Sequence, residues 1–201
     1  MVHTLVCDDA PQFKLITDDL ALCWVHEGRH YKKLSPVVAC HQQILEQFLD
    51  TFWNYYRELL AYRDSPNAKL ARELKSKFWE LFDTKSSYEQ LDERKRLTAA
   101  KALELLHVYE HPELPLHNNP AELAARTMVQ RRNISYATQT TLGTKAWDTF
   151  MSLVATTRKL EISFFEYVRD RISKIGKIHS LATIIREKSS GNPFGWSWQS
   201  E

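Results

Sequence analysis

Hydrophobic and polar positions alternate in two distinct ways along the chain. Near the start, residues 2–7 and 20–25 are short, almost continuous apolar runs, the first ending at Asp8-Asp9 and the second at His26-Glu27-Gly28. Runs of that length predict two buried strands. After Ser35-Pro36, an N-cap followed by Pro, the apolar spacing becomes helical: Ile44, Leu45, Phe48, Leu49, Phe52, Trp53, Tyr56, Leu59 and Leu60,. That helix is predicted to run to about residue 62. Ser65-Pro66 opens a second helix with Leu70, Leu74, Phe78, Leu81 and Phe82 on its apolar face,. Ser87 opens a third, with Leu91, Leu97 and residues 103–106 on its buried side. The aromatic stripe of Phe52, Trp53, Tyr56, Phe78 and Trp79 predicts an aromatic core rather than a platform for stacking bases. Three helices in a row, set between a strand and a later helix, predict an all-α insertion over residues 35–106.

Asn119-Pro120 starts the next helix, with Glu122 at its third position, where a carboxylate meets the cap and the positive helix end,. At helical spacing Asn119, Glu122, Arg126 and Asn133 form a polar stripe,. Ala121, Ala124, Ala125 and Met128 form the opposite face, small enough to pack closely on a neighbour,. A polar link over 134–141 follows. Ala146, Phe150, Leu153 and Val154 mark a helix that ends near Arg158-Lys159. Ser163 with Glu166 is a capping box for a helix through residue 172, and Ser180 caps a short one through residue 188,. Residues 189–201, with Trp196 and Trp198, read as a mobile tail,.

Composition changes this picture only at the edges. A formal charge of +2 rules out a global positive field, so any contact with DNA must come from local clusters,. Arg94-Lys95-Arg96 and Arg131-Arg132 are the candidates,. Cys7, Cys23 and Cys40, odd in number and widely spaced, suit a reducing cytosol,. No apolar run reaches the length of a membrane span, which excludes a membrane partner,.

Two carboxylates stand at chemically useful places. Asp9 is the natural N-cap of the short helix begun at Pro11, which leaves Asp8, at the carboxyl end of a strand, for chemistry,. Glu122 has a structural alternative as a capping residue with Arg126 as its i,i+4 partner,. Cys23-x-x-His26 opens a further alternative, half of a zinc site completed by Cys40-His41,. Its competing reading is a Cys and a Trp buried in a sheet with His26 at the exposed end.

The run Leu-Pro-Leu-His-Asn-Asn-Pro-Ala-Glu ending at Glu122, with Arg126 and then Arg131-Arg132-Asn133, resembles the end of the catalytic domain of DDE transposases. The branch it resembles is the insertion-sequence-sixty-six family. The strand ending at Asp8, followed by Cys23-Trp24-Val25-His26, resembles a second element of the same family. The resemblance covers residues 4–172. It implies an α/β, mostly helical fold: the C-terminal part of an RNase H-like domain, over 1–34 and 107–172, with the helical insertion at 35–106. Residues 173–201 are left as a C-terminal extension. Asp8 and Glu122 would be metal-binding carboxylates for Mg²⁺ or Mn²⁺, and Arg126 would hold a phosphate. Transposon-end DNA is the implied partner, and the bacterial cytosol, in association with the nucleoid, the implied location. His26, Asn118 and Asn119 belong to the same motifs.

The pattern departs from the family at one place. The family's first catalytic Asp lies upstream of the strand ending at Asp8, and the seven residues before Asp8 contain no acid. His117 also stands where the family often has Asp or Thr. The resemblance therefore implies a truncated C-terminal fragment, inactive alone, that acts in transposition when the domain is complete. The competing reading is a helical DNA-binding or regulatory protein without catalysis. Through an unfinished sheet edge such a chain would pair with a second copy of itself or with a longer transposase.

Overall fold

The computed structural model describes residues 4–17, 19–135 and 138–191. The beginning of the first predicted strand, part of the 134–141 link and the Trp196-Trp198 end of the tail lie outside them. The described residues are mostly helical, with one two-stranded parallel sheet. They fall into two compact units, Met1–Asn118 and Asn119–Glu201.

In the first unit β1 (Leu5–Cys7) pairs with β2 (Leu20–Leu22) in the register Leu5↔Leu20, Val6↔Ala21 and Cys7↔Leu22. The connection carries a single 3₁₀ turn, Pro11–Leu15. The second strand is shorter than its apolar run predicts. The chain turns into α1 (Trp24–Lys32) at Cys23, whose Sγ accepts from the His26 amide at 3.4 Å. Residues 20–25 are apolar because both the strand and the first turn of α1 are buried, and a run that short has no period to tell them apart. His26 therefore sits in a helix and not at a strand end.

Then come α2 (Ala39–Asp64), α3 (Ala68–Asp83), α4 (Glu89–Ala99), α5 (Ala102–Leu105) and a 3₁₀ turn, His107–Tyr109. Each of the first three starts slightly later than its Ser signal predicts. Val38 precedes α2, Asn67 caps α3 by accepting from the Leu70 amide at 2.8 Å, and Tyr88 precedes α4. The neighbour of the predicted Ser87, Ser86, bonds to the carboxylate of Asp92 through both its amide and its hydroxyl.

One core joins these helices to the strands. Trp24, with no exposed surface, lies against Phe52, Tyr55, Phe78 and Phe82, and its indole donates to the Leu105 carbonyl at 2.9 Å. Tyr31 packs on Phe48 and Phe52 in the same cluster. The predicted aromatic stripe is thus half right: Phe52 and Phe78 are buried, Trp53 and Tyr56 half-buried, and Trp79 is 44% exposed. Leu97 and Leu103, expected inside, are 38% and 87% exposed. The chain breaks between α4 and α5, so Leu103 falls off the face that Leu91 buries. Gly28 is what lets α1 approach α2: a Cβ there would lie 2.7 Å from the Trp53 ring and 2.9 Å from that of Phe52.

The second unit contains α6 (Asn119–Ser135), α7 (Thr141–Lys159), α8 (Phe164–Ile172) and α9 (Leu181–Gly191). Ser163 and Ser180 cap α8 and α9 as their patterns predict, through the amides of Glu166 and Thr183. The start of the predicted tail, up to Gly191, is the end of α9. The core is small: Leu160, Tyr167 and Leu181, with Leu153, Ile162, Ile178 and Ile184 partly buried against it. The alanine face of α6 does not pack as predicted, since Ala121 and Ala125 are exposed. Methyl groups gain too little on burial to compete with the Leu, Ile and Tyr side chains of α7 to α9.

Candidate active site

Two backbone hydrogen bonds gather three segments at the carboxyl end of the sheet. The Cys23 amide donates to the Cys7 carbonyl at 2.9 Å, and the Trp24 amide donates to the Leu116 carbonyl at 2.9 Å. The residue after Cys7 is Asp8, the first turn of α1 carries His26, and Leu116 leads through His117 to Asn118. Asp8 Oδ1, His26 Nδ1 and Asn118 Oδ1 are all buried with no hydrogen-bond partner. Leaving a buried polar atom unsatisfied costs about 1–3 kcal/mol. Two such oxygens belong to segments that meet at the carboxyl edge of the sheet, the edge where α/β sheets commonly hold ligands,. His26 also meets His30 edge-on at 5.3 Å. Burial first, then the nearby Arg94 charge, holds His30 below its ordinary pKa.

Asp9 has a structural task, but not the predicted one. Ala10 occupies the cap position of the Pro11–Leu15 turn without a side-chain bond. Asp9 sits at φ 44° and pairs with Lys101 at 2.7 Å and Lys14 at 3.3 Å. Burial raises its pKa, and the two lysines outweigh burial and hold the carboxyl below the usual range. Lys101 also reaches Glu27 at 3.7 Å. Glu27, buried on α1, accepts from Thr98 Oγ1 at 2.6 Å and is ion-paired with Arg94. With the Thr98 proton directed at Glu27, Tyr31 Oη donates to Thr98. This seam ties the Asp8-Asp9 corner to α1 and α4. Its signal was present in the sequence as Glu27 with Tyr31 and Arg94 with Thr98, both at i,i+4 spacing.

The same seam settles where the Arg94-Lys95-Arg96 cluster goes. Arg94 is drawn inward to Glu27. Lys95 is buried, donates to the Thr84 carbonyl and lies 5.6 Å from the Phe48 ring. Arg96 is exposed and held by Glu93 at 2.7 Å. The three cations do not form one basic surface.

Glu122 is half-buried in α6, which Asn119 opens, and Arg126, Arg131 and Arg132 are exposed on that helix. Asp8, His26 and Asn118 therefore share the first unit, and Asn119, Glu122, Arg126, Arg131 and Arg132 belong to the second. Of the zinc alternative, Cys23 Sγ is occupied as a cap and Cys40 is exposed on α2. Among the described residues no three His, Cys, Asp or Glu side chains gather as a metal cluster. Burial, followed by the Asp8 charge, pushes the Cys7 thiol up to about 11, which leaves it protonated and unreactive at neutral pH,. No described helix is long and apolar enough to cross a membrane.

A short parallel sheet with a carboxylate at its carboxyl edge and a helical remainder define an α/β, mostly helical protein. Residues 3–146 match the family described as Transposase IS66 family, and the chain belongs to that family. It is 35% identical over 186 residues to a protein of Sinorhizobium fredii (strain NBRC 101917 / NGR234) named "Uncharacterized protein y4jO". The match takes in 92% of this chain and 57% of that relative, so the chain spans little more than half the relative's length. No solved structure matches.

Proposed function

We propose that the chain is the C-terminal part of an RNase H-like DDE catalytic domain that acts in DNA transposition. Asp8 and Glu122 supply two of its metal-binding carboxylates. One observation carries this reading: Asp8 leaves the sheet at its carboxyl edge with a buried, unpartnered Oδ1, beside a segment whose Asn118 Oδ1 is also buried and unpartnered. Hard oxygen donors of this kind fit Mg²⁺ or Mn²⁺, which keep several waters and need few protein ligands. When bound, such ions activate an attacking oxygen and stabilise a leaving one in phosphodiester cleavage and strand transfer. Asp9, locked by Lys101 and Lys14, fixes the corner next to Asp8. In this reading residues 1–34 and 107–172 form the partial catalytic domain, 35–106 the insertion and 173–201 an extension. Arg126 holds a phosphate of transposon-end DNA, and the protein works in the cytosol.

The chain spans little more than half of the S. fredii relative, and the second reading is a non-catalytic DNA-binding or regulatory chain that associates with a longer transposase. A plasmid-nicking assay in Mn²⁺ separates them. The chain alone gives no nicked product. A chimaera that adds the part of the S. fredii relative left uncovered by the match nicks DNA, and Asp8→Asn or Glu122→Gln abolishes the nicking. A chimaera that nicks equally well with either substitution contradicts the catalytic assignment.

A further inference from the structure

Charge is distributed unequally between the two units. Residues 1–118 carry fifteen Lys and Arg against eighteen Asp and Glu, and residues 119–201 carry twelve against seven. A near-neutral chain thus consists of an acidic half and a basic half. The units also differ in what their cations do. In the first, Lys14, Lys69, Lys77, Arg94, Arg96 and Lys101 are each paired with a carboxylate. In the second, Arg158, Lys159, Arg169, Lys174, Lys177 and Arg186 are exposed, and none is in an ion pair among the described residues.

The turn between α8 and α9 displays these charges on a fixed backbone. α8 ends in a Schellman-type closure: the Ile175 amide donates to the Asp170 carbonyl at 3.1 Å, with Lys174 left-handed at φ 53°,. Gly176 follows at φ 73°. Asp170, only 4% exposed, accepts from the Lys177 amide at 2.8 Å and from Arg171 at 2.7 Å. Arg171 in turn donates to the Ile178 carbonyl. The buried carboxylate neutralises Arg171 and pins the turn, while the side chains of Arg169, Lys174 and Lys177 are left in solvent. Cations on an ordered turn lose less backbone freedom on binding an anion than cations on a loose loop.

We infer that α8, α9 and the turn between them form a contact surface for the phosphate backbone of duplex DNA, centred on Arg169, Lys174 and Lys177. The inference deepens the transposase reading by naming where DNA meets the chain, and it rests on that reading for the choice of DNA as the partner. The surface lies beyond residue 146, where the family match ends. It reads backbone charge and not sequence, because contacts to phosphates position a protein on the duplex and carry no sequence information directly.

The test is a fluorescence-anisotropy titration of the full chain against a short labelled duplex of random sequence. It is run in EDTA, so that its outcome is independent of any metal-bound carboxylate. The chain binds, with an affinity that falls steeply as salt rises. The double variant Lys174→Gln/Lys177→Gln keeps the wild-type circular dichroism and melting temperature, binds every duplex more weakly, and lowers the salt slope by about 0.9 per lost contact. Arg169→Gln, on the preceding helix, acts in the same direction. Three results overturn the inference: no duplex binding at low salt, an unchanged slope in both variants, or binding to anionic lipid vesicles without binding to DNA. If Arg126→Gln/Arg131→Gln/Arg132→Gln abolishes binding while the turn variants do not, this surface is refuted and the catalytic reading stands. If duplex binding is intact and turn-dependent but the nicking assay fails, the surface stands and the catalytic reading falls.

Discussion

The two units solve the same folding problem with different means. The first buries a dense aromatic cluster around Trp24 and closes its polar seam with a buried Glu27–Arg94 pair. The second gathers α7, α8 and α9 on a core of three buried residues, Leu160, Tyr167 and Leu181, and leaves Leu142, Phe165 and Ile172 more than 70% exposed. Much of its order is local instead: the Thr140, Ser163 and Ser180 caps, and the Schellman-type closures after α7 and α8. A shared core over-determines the position of each side chain that faces it, which is what an unsatisfied carboxylate at a sheet edge requires. Caps and turns fix backbones but leave side chains in solvent, which suits a surface that meets phosphate.

Truncating the keystone gives the largest contrast. Trp24→Ala removes a fully buried indole and strands the Leu105 carbonyl, at a cost of about 3–5 kcal/mol,. Leu160→Ala, in the thin core, falls near the low end of the ~2–5 kcal/mol range for such truncations, because its surroundings can collapse,. Urea unfolding followed by circular dichroism compares them; equal costs would erase the distinction between the units.

Next comes the buried ion pair. Arg94→Met leaves the Glu27 carboxylate without its guanidinium and destabilises the protein by about 3 kcal/mol, toward the lower end for a broken buried pair,. Duplex affinity is unchanged in the same variant. If affinity falls while stability holds, Arg94 is a DNA contact after all.

Gly28→Ala sharpens the account of how α1 and α2 meet. The added methyl lies within 2.9 Å of two aromatic rings, and overpacking of this kind costs about 1–3 kcal/mol,. A neutral or stabilising result would show that Trp53, which is half-buried, swings aside.

The smallest effect is on pH dependence. His30 has a folded pKa below its ordinary value, through burial and then the Arg94 charge, so the fold favours the neutral ring. The stability it contributes is intact above the unfolded value of about 6.5 and is lost as pH falls through the lower folded value. Denaturant midpoints measured across that window should decline in the wild type and decline less in His30→Asn.

How much of this was legible in the sequence depended on whether local signals had competitors. Ser163 with Glu166 and Ser180 were readable because a cap acts on amides three residues away,, and α6 starts at Asn119, within a residue of what the Asn119-Pro120 pair predicts. The strand-to-helix switch at Cys23 was not, since the Trp24 position is set by a hydrogen bond to Leu116, about ninety residues on. Arg94-Lys95-Arg96 read as a surface cluster because consecutive helix residues point in different directions, and nothing local says that Glu27 waits on one side and Thr84 on another,. Asp8 and Glu122 were visible only as parts of motifs. The orphaned oxygens of Asp8 and Asn118 add a physical reason at one of the two positions.

The proposal that Asp8 and Glu122 are metal-binding carboxylates has a direct measurement: Mn²⁺-induced broadening of backbone amide signals in the full-length chain. The expected result is selective broadening around Asp8 and Asn118 that Asp8→Asn reduces, and around the start of α6 at Glu122 that Glu122→Gln reduces. Broadening confined to one carboxylate, or broadening that neither substitution reduces, would contradict the proposal.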